Sequence, residues 1–447
     1  AAVHPHSYAV QDMRDPITTV GDTIYYLHYF RQIPVAGLFI SGFVGLFFLF
    51  ATITGLLIHW RNLFTKFFAF IKEGKWKTIW TNAHTVVGII GLPFQVMYAV
   101  TGAFFGLLTL ILLPSVVVLY EGDTNQVFNK INPENTIPVD PHAPKAEHLA
   151  FSTLLQQVTE AYPDYHITRA VVKNYGKEGA LCTWRLDDPE GIVTTGSITM
   201  FMQDGVVLDE VSIFPTAKTY SQSVIDFITK LHFGSFGGLL LKVVYFILSL
   251  LTCFMIISGV LIWRTARDNG RYTVAQRRFH HRVTKFYLAI CLSLFPAFAW
   301  LFVLNKAIPM DMMGRTSWVN GLFFIGWLAL TIVGLFWNNY GRLFKRYLWM
   351  GGVVSLLVPV ANGLVTGDWF WQVWNTLPHV AYVDVFWLGA GFTALFLAFR
   401  VVKPKMGSDL PAMDTVEKVL DEEPAEAISA DPNLEPQLAV QGLPRSQ

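Results

Sequence analysis

Histidines recur at matching places in two stretches of this 447-residue chain, and imidazole is the side chain here best suited to hold a metal inside a bilayer. The first stretch runs from Leu27-His28 to Thr54-Gly55, then Trp60, a basic loop and His84. The second runs from Leu231-His232 to Ser258-Gly259, then Trp263, a basic loop and His280-His281. The leading histidine precedes the glycine by 27 residues in both copies. That self-similarity predicts two related helix-pair repeats. A neutral imidazole is a strong axial ligand for haem iron, and four of them in two pairs suit two low-spin b-type haems. His28 and His232 both come before apolar runs that head inward, so they share one membrane face. His84 and either His280 or His281 begin runs that head outward, so they share the other. Cysteine is not the alternative ligand. Cys182, Cys253 and Cys291 lie far apart, with no Cys-x-x-Cys-His for covalent haem and no spacing for an iron–sulfur cluster.

The elements that must carry these histidines are membrane helices. The chain is 53% hydrophobic and 15% charged, against about 25% charged in soluble domains. Apolar runs predict seven spans near 35–59, 84–112, 238–263, 286–304, 318–337, 348–367 and 378–399. Every second connection is basic: Arg61 to Lys77, Arg264 to Lys285, Arg342 to Arg346, and Arg400 to Lys405. These connections are expected in the cytoplasm, with the amino terminus and the long 114–237 stretch outside. The basic residues alternate with the spans and are not pooled in one patch, so the expected partner is a lipid bilayer and no nucleic acid.

Six regions follow. Residues 1–34 form an external segment, 35–113 a first membrane repeat and 114–231 an external domain. Residues 232–304 form a second membrane repeat, 305–405 three further spans, and 406–447 a disordered cytoplasmic tail that is acidic and free of aromatics. Within the external domain, 146–161 reads as a helix stopped by Tyr162-Pro163-Asp164. Runs at 166–173, 180–186 and 194–202 read as strands, giving a small α+β unit. The fold class is thus mainly α: a polytopic helix bundle with two related helix-pair repeats and a small external α+β domain. Residues 1–34 lack a signal peptide, and the start at Ala1-Ala2-Val3 suggests an earlier span absent from this chain.

Other polar residues are weaker candidates. Tyr26, Arg31 and Lys230 flank the external pair, and Arg282 and Lys285 flank the internal one. Basic side chains there suit haem propionates, or are ordinary flanking charges. His59 ends the first span without a counterpart in the second copy, and His379 opens the last span as a reserve ligand. Gly88, Gly91, Gly102 and Gly106 make a small-residue stripe that permits close packing or admits a macrocycle. Trp60 and Trp263 fit an aromatic belt, and His142, His148 and His166 read as surface residues. A histidine meeting lipid headgroups is an adequate account of any single ligand candidate. It accounts poorly for a set repeated at matching offsets.

The Leu-His…Thr-Gly-Leu-x-x-x-Trp stretch at 27–60, His-x-x-x-Gly at 84–88, Leu-His-x-Gly at 231–234 and Ser-Gly-Val-Leu-Ile-Trp at 258–263 resemble the PepSY-associated transmembrane family of bacterial inner-membrane proteins. That family includes ferric-siderophore reductases. The stretch 146–213 resembles a PepSY domain, and the likeness covers roughly residues 15–304. Members usually begin with one more span, in keeping with the missing start. The resemblance implies a haem-dependent membrane oxidoreductase with two haem b groups, metal ligands His28, His84, His232 and His281, and a ferric siderophore or other periplasmic acceptor. The Arg282 after His281 resembles the family's His-Arg, which prefers His281 over His280. It also implies a bacterial inner-membrane protein with its large loop in the periplasm and its carboxyl terminus in the cytoplasm. No nucleotide fingerprint follows a strand in the cytoplasmic loops, so a separate reductase or quinone is the expected electron donor. The competing reading is a non-redox transporter or assembly partner with a substrate-binding external domain, to which Pro359, Asn362 and Asp368 would contribute a broken helix.

Overall fold

The computed structural model describes residues 20–62, 76–124, 137–188, 190–337 and 339–400, with isolated residues at 2–3, 10–11, 65 and 126. The expected tail at 406–447, Asp15-Pro16, and Lys66, Lys72 and Lys75 of the first basic loop lie outside the described residues.

Among the described residues seven helices are long and apolar enough to cross a membrane. In chain order the helices are α1 (Val20–His28), α2 (Ala36–His59), α3 (Trp76–Ile90), α4 (Leu92–Leu119), α5 (Phe151–Ala161), α6 (Tyr220–Phe233), α7 (Gly238–Ala266), α8 (Val274–Ala307), α9 (Arg315–Leu335), α10 (Tyr340–Thr366) and α11 (Pro378–Arg400). The spans are α2, α4 and α7 to α11. One expectation needs correction. The run drawn at 84–112 is two helices, because the chain breaks at Gly91 and restarts with Pro93 in the first turn of α4. Proline has no N–H to continue a helix and fits only that first turn. His84 therefore lies within α3, ahead of the span. The fourth span, expected to be short, is the longest helix of the chain at 34 residues, and Pro296 sits inside it.

The chain divides into two compact units, one from Asp22 to Ile262 and one from Trp263 on. In the first, α4 packs on α2 and α6. The expected small-residue contact is realised between α2 and α4: a Cβ on Gly106 would overlap the Gly42 backbone, and one on Gly45 would lie 2.9 Å from Ala103 N and 3.3 Å from the Gly102 carbonyl carbon, so these two helices touch main chain to main chain. A Cβ on Gly102 itself would meet nothing within 4 Å. The second unit is a four-span assembly in which α8 packs on α9 and α10, and α10 on α11. Asn362 and Asp384, each 2% exposed, meet inside it, with Asn362 Nδ2 donating to Asp384 Oδ2 at 2.9 Å.

The external domain belongs to the first unit. Strands β1 (His166–Lys173), β2 (Leu181–Asp187), β3 (Gly196–Phe201) and β4 (Val207–Val211) form one antiparallel sheet in the order β1-β2-β3-β4. The first three were legible as apolar runs. β4, Val-Leu-Asp-Glu-Val, was missed because it is short and largely exposed. Leu154 and Val158 of α5 close the core against Trp184, Leu186, Ile198, Met200 and Ile213. On the opposite face of the sheet Thr183 and Thr199 pair their hydroxyls across β2 and β3 at 2.9 Å, which satisfies two buried polar groups.

Candidate metal centres

The helix that delivers His232 is set at both ends by local chemistry. Thr219 caps its start: the Gln222 backbone N–H donates to the Thr219 side chain, and the Gln222 side chain accepts from the Thr219 N–H. Gly234 stops it in a left-handed turn at φ 59°, a conformation glycine takes without steric cost. His232 is left on the final turn. The same Thr-x-x-Gln capping box at Thr273 and Gln276 starts α8, which carries His280 and His281. Both boxes were visible in the sequence and were overlooked.

His28, at the end of α1, meets His232. Their ring centres are 6.2 Å apart with planes inclined at 55°. Two imidazoles this close could both serve one metal. Tyr98 and Phe105 of α4 pack edge-on against His232, with ring centres 5.1 and 5.3 Å away. His232 Nδ1 lies 2.8 Å from Thr101 Oγ1. Burial pushes the His232 pKa down to about 4, with His28 adding to the shift. At neutral pH this ring is uncharged and keeps a lone pair to offer.

His84 is held by α7. Its Nδ1 lies 2.9 Å from Ser258 Oγ, and a Cβ on Gly259 would come within 3.3 Å of the ring. The Ser258-Gly259 mark thus has a role in the fold: serine grips the ring and glycine makes room. Its counterpart Thr54-Gly55 has no such role. Thr54 turns its hydroxyl to its own helix, donating to the carbonyls of Phe50 and Ala51.

His281 belongs to the second unit. Its Nδ1 lies 2.8 Å from Tyr340 Oη, and its Nε2 is buried without a hydrogen-bond partner. Arg264, 4% exposed, sits beside the same Tyr340 hydroxyl and pairs with Asp268 at 3.0 Å. His280 faces elsewhere, among Trp263 and Tyr272 at 5.1 and 5.4 Å, with Nδ1 buried and unpartnered. His84 lies in the first unit and His281 in the second.

The expected basic neighbours separate. Arg31 lies over the Tyr26 ring at 4.9 Å, close to His28 in the chain. Arg282 is exposed on α8. Lys230 is not available to a propionate, which corrects the expectation. It is 2% exposed. Its Nζ is paired with Asp187. It also donates to Asp188 O, Gly191 O and Thr194 Oγ1 at 2.8, 2.7 and 2.7 Å. It fastens α6 to the β2–β3 loop. Asp226 does the same one turn earlier, accepting from the Thr195 N–H at 3.0 Å and pairing with Lys218. His379 is exposed near the start of α11. His148 takes a structural role, accepting from the Gly176 N–H at 3.0 Å through Nε2.

Among the described residues no three His, Cys, Asp or Glu side chains gather as a metal cluster. A haem requires no such cluster, because the porphyrin supplies four of six ligands and two imidazoles complete the set.

A family model for the PepSY-associated TM region matches residues 1–266. The chain belongs to this family. It is accordingly a multi-pass inner-membrane protein, mainly α, with a small β-containing external region. A second likeness reaches beyond the matched region. An uncharacterized protein of Pseudomonas aeruginosa is 22% identical over 353 residues, covering 76% of this chain and 86% of that one. No solved structure matches.

Proposed function

We propose that this protein carries electrons across the inner membrane through two b-type haems and reduces an acceptor on the periplasmic side, with ferric siderophore iron as the substrate. The observation that carries the reading is the His28–His232 pair, 6.2 Å between ring centres, with His232 neutral and anchored through Nδ1. The residues present fit the group. His28 and His232 would hold one haem; His84 and His281 are further ligand candidates, each within its own unit. Arg31 and Arg282 would meet propionates. Haem bound there would supply one-electron chemistry, and reduction frees iron because hard oxygen ligands hold iron(II) more weakly than iron(III).

The chain's own residues perform the rest. Thr101, Ser258 and Tyr340 orient the three rings. Tyr98 and Phe105 keep water from His232. In this reading residues 35–113 and 232–304 are related repeats, with spans α2 and α4 in the first and α7 and α8 in the second. The basic connections face the cytoplasm and the α+β domain faces the periplasm. A cytoplasmic reductase or quinone supplies the electrons.

The test is spectroscopic. Protein purified from haem-replete cells should show a sharp reduced α band. His232→Ala and His28→Ala should each remove about half of the haem, and their double variant no more than that. His84→Ala and His281→Ala should remove the other half, while His280→Ala spares it. A colourless wild type overturns the redox reading. A second reading, a non-redox transporter, draws on the buried Asn362–Asp384 pair within the last spans, and the colourless result would favour it.

A further inference from the structure

His232 and His84 share a feature that goes beyond nearness to a hydroxyl. Each hydroxyl has a carbonyl of its own helix within donating distance. Thr101 Oγ1 donates to Met97 O at 2.8 Å, on its own helix. Ser258 Oγ donates to Met255 O at 3.1 Å. A hydroxyl has one proton to give. With that proton on the helix carbonyl, each oxygen accepts from the imidazole it faces, at 2.8 and 2.9 Å. The Met255 carbonyl also hydrogen-bonds the His84 ring, and a carbonyl accepts only. That arrangement places the ring proton on Nδ1 and the lone pair on Nε2, the nitrogen on the far side of the ring.

We propose that Thr101 and Ser258 are positioning residues that set the tautomer of His232 and His84, keeping the ring proton on Nδ1 and leaving Nε2 as the metal-binding nitrogen. The two devices arose on different helices, α4 and α7, from different residue types. Thr54 makes the same backbone hydrogen bonds without facing a histidine, so the helical hydroxyl alone does not create the device. The donor bond also makes the ring a stronger electron donor, as outer partners of metal-bound histidines generally do. Its loss should weaken metal affinity by about 10- to 100-fold and raise the reduction potential of the iron held there.

This inference rests on the haem reading for its consequence, and the experiment separates the two. Isotope-labelled histidine nitrogen NMR on haem-free protein reads the tautomer directly. His232 and His84 should show the Nδ1–H form, Thr101→Val should release His232, and Ser258→Ala should release His84. Threonine to valine preserves shape, and Thr101→Ser restores the hydroxyl should the valine variant fold poorly. In haem-loaded protein each variant should raise one of two midpoint potentials and leave the other where it was, with Thr101→Ser close to wild type. An Nε2–H form in wild type overturns the inference whatever the cofactor. Full haem occupancy with both potentials unmoved in Thr101→Val and Ser258→Ala overturns it while leaving the haem reading intact. Absence of haem with the Nδ1–H form present overturns only the haem reading.

Discussion

Replacing Lys230 with methionine should loosen the external domain and α6 together. The side chain is 2% exposed, so its charge is stabilised by protein oxygens. Those are the Asp187 carboxylate and the oxygens of Asp188, Gly191 and Thr194. Methionine retains most of the packing and removes the ammonium, leaving a carboxylate and three acceptors facing an apolar end. Removing one partner of a buried pair costs about 3–5 kcal/mol. Asp187 is 17% exposed and regains some water, which favours the lower end, about 3 kcal/mol. For a domain of roughly this size that lowers the melting midpoint by more than about 10 °C. Cys182 reports the opening, because it is fully buried in the domain core. Its alkylation, mapped by mass spectrometry over a temperature ramp in full-length protein, gives the midpoint for wild type and variant. If His232, two residues further along α6, holds haem as proposed, the same variant should broaden the spectrum of that haem alone. A midpoint indistinguishable from wild type would refute the argument that Lys230 is a fastener.

Two further outcomes follow from packing and burial. The Cys182 thiol is pushed up to about 12 by burial, so below that pH it stays protonated in the fold. Alkylating reagent at mildly alkaline pH should leave Cys182 unmodified in native protein and label it readily in denaturant; prompt labelling of the native form would contradict the buried position. Gly106→Val should separate α2 from α4, because the new Cβ would overlap backbone that cannot yield. The readout is loss of detergent-resistant folded protein on size exclusion, with Gly102→Ala, where nothing lies within 4 Å, as the tolerated control.

Much of the architecture was legible in short stretches. Continuous apolar runs announced seven spans, and each has a helix at its place, though the fourth begins at Val274, well before the expected 286. The run at 84–112 misled because the apolar pattern continues through a break made by Gly91 and Pro93. In the external domain, Tyr162-Pro163-Asp164 marked the end of α5 correctly. The short exposed β4 carried too little apolar signal to be read. Lys230 was misjudged for a different reason: a lysine next to a ligand candidate looks like a flanking charge, and nothing nearby in the chain says that Asp187 and Thr194 will enclose it.

By itself the sequence determined which runs become membrane helices and that imidazole is the available ligand type. Those properties depend on residues a few positions apart, whose spacing along a helix or strand is known before any packing occurs. Only the tertiary structure decided which histidines meet and which nitrogen each presents. Thr101 and His232 are 131 residues apart in the chain, and Ser258 and His84 are 174 apart. Thr54-Gly55 and Ser258-Gly259 look alike on the page, yet only the second grips a ring. A side-chain hydrogen bond forms within about 3 Å or not at all. No local pattern encodes a distance of that kind; the helices must first pack.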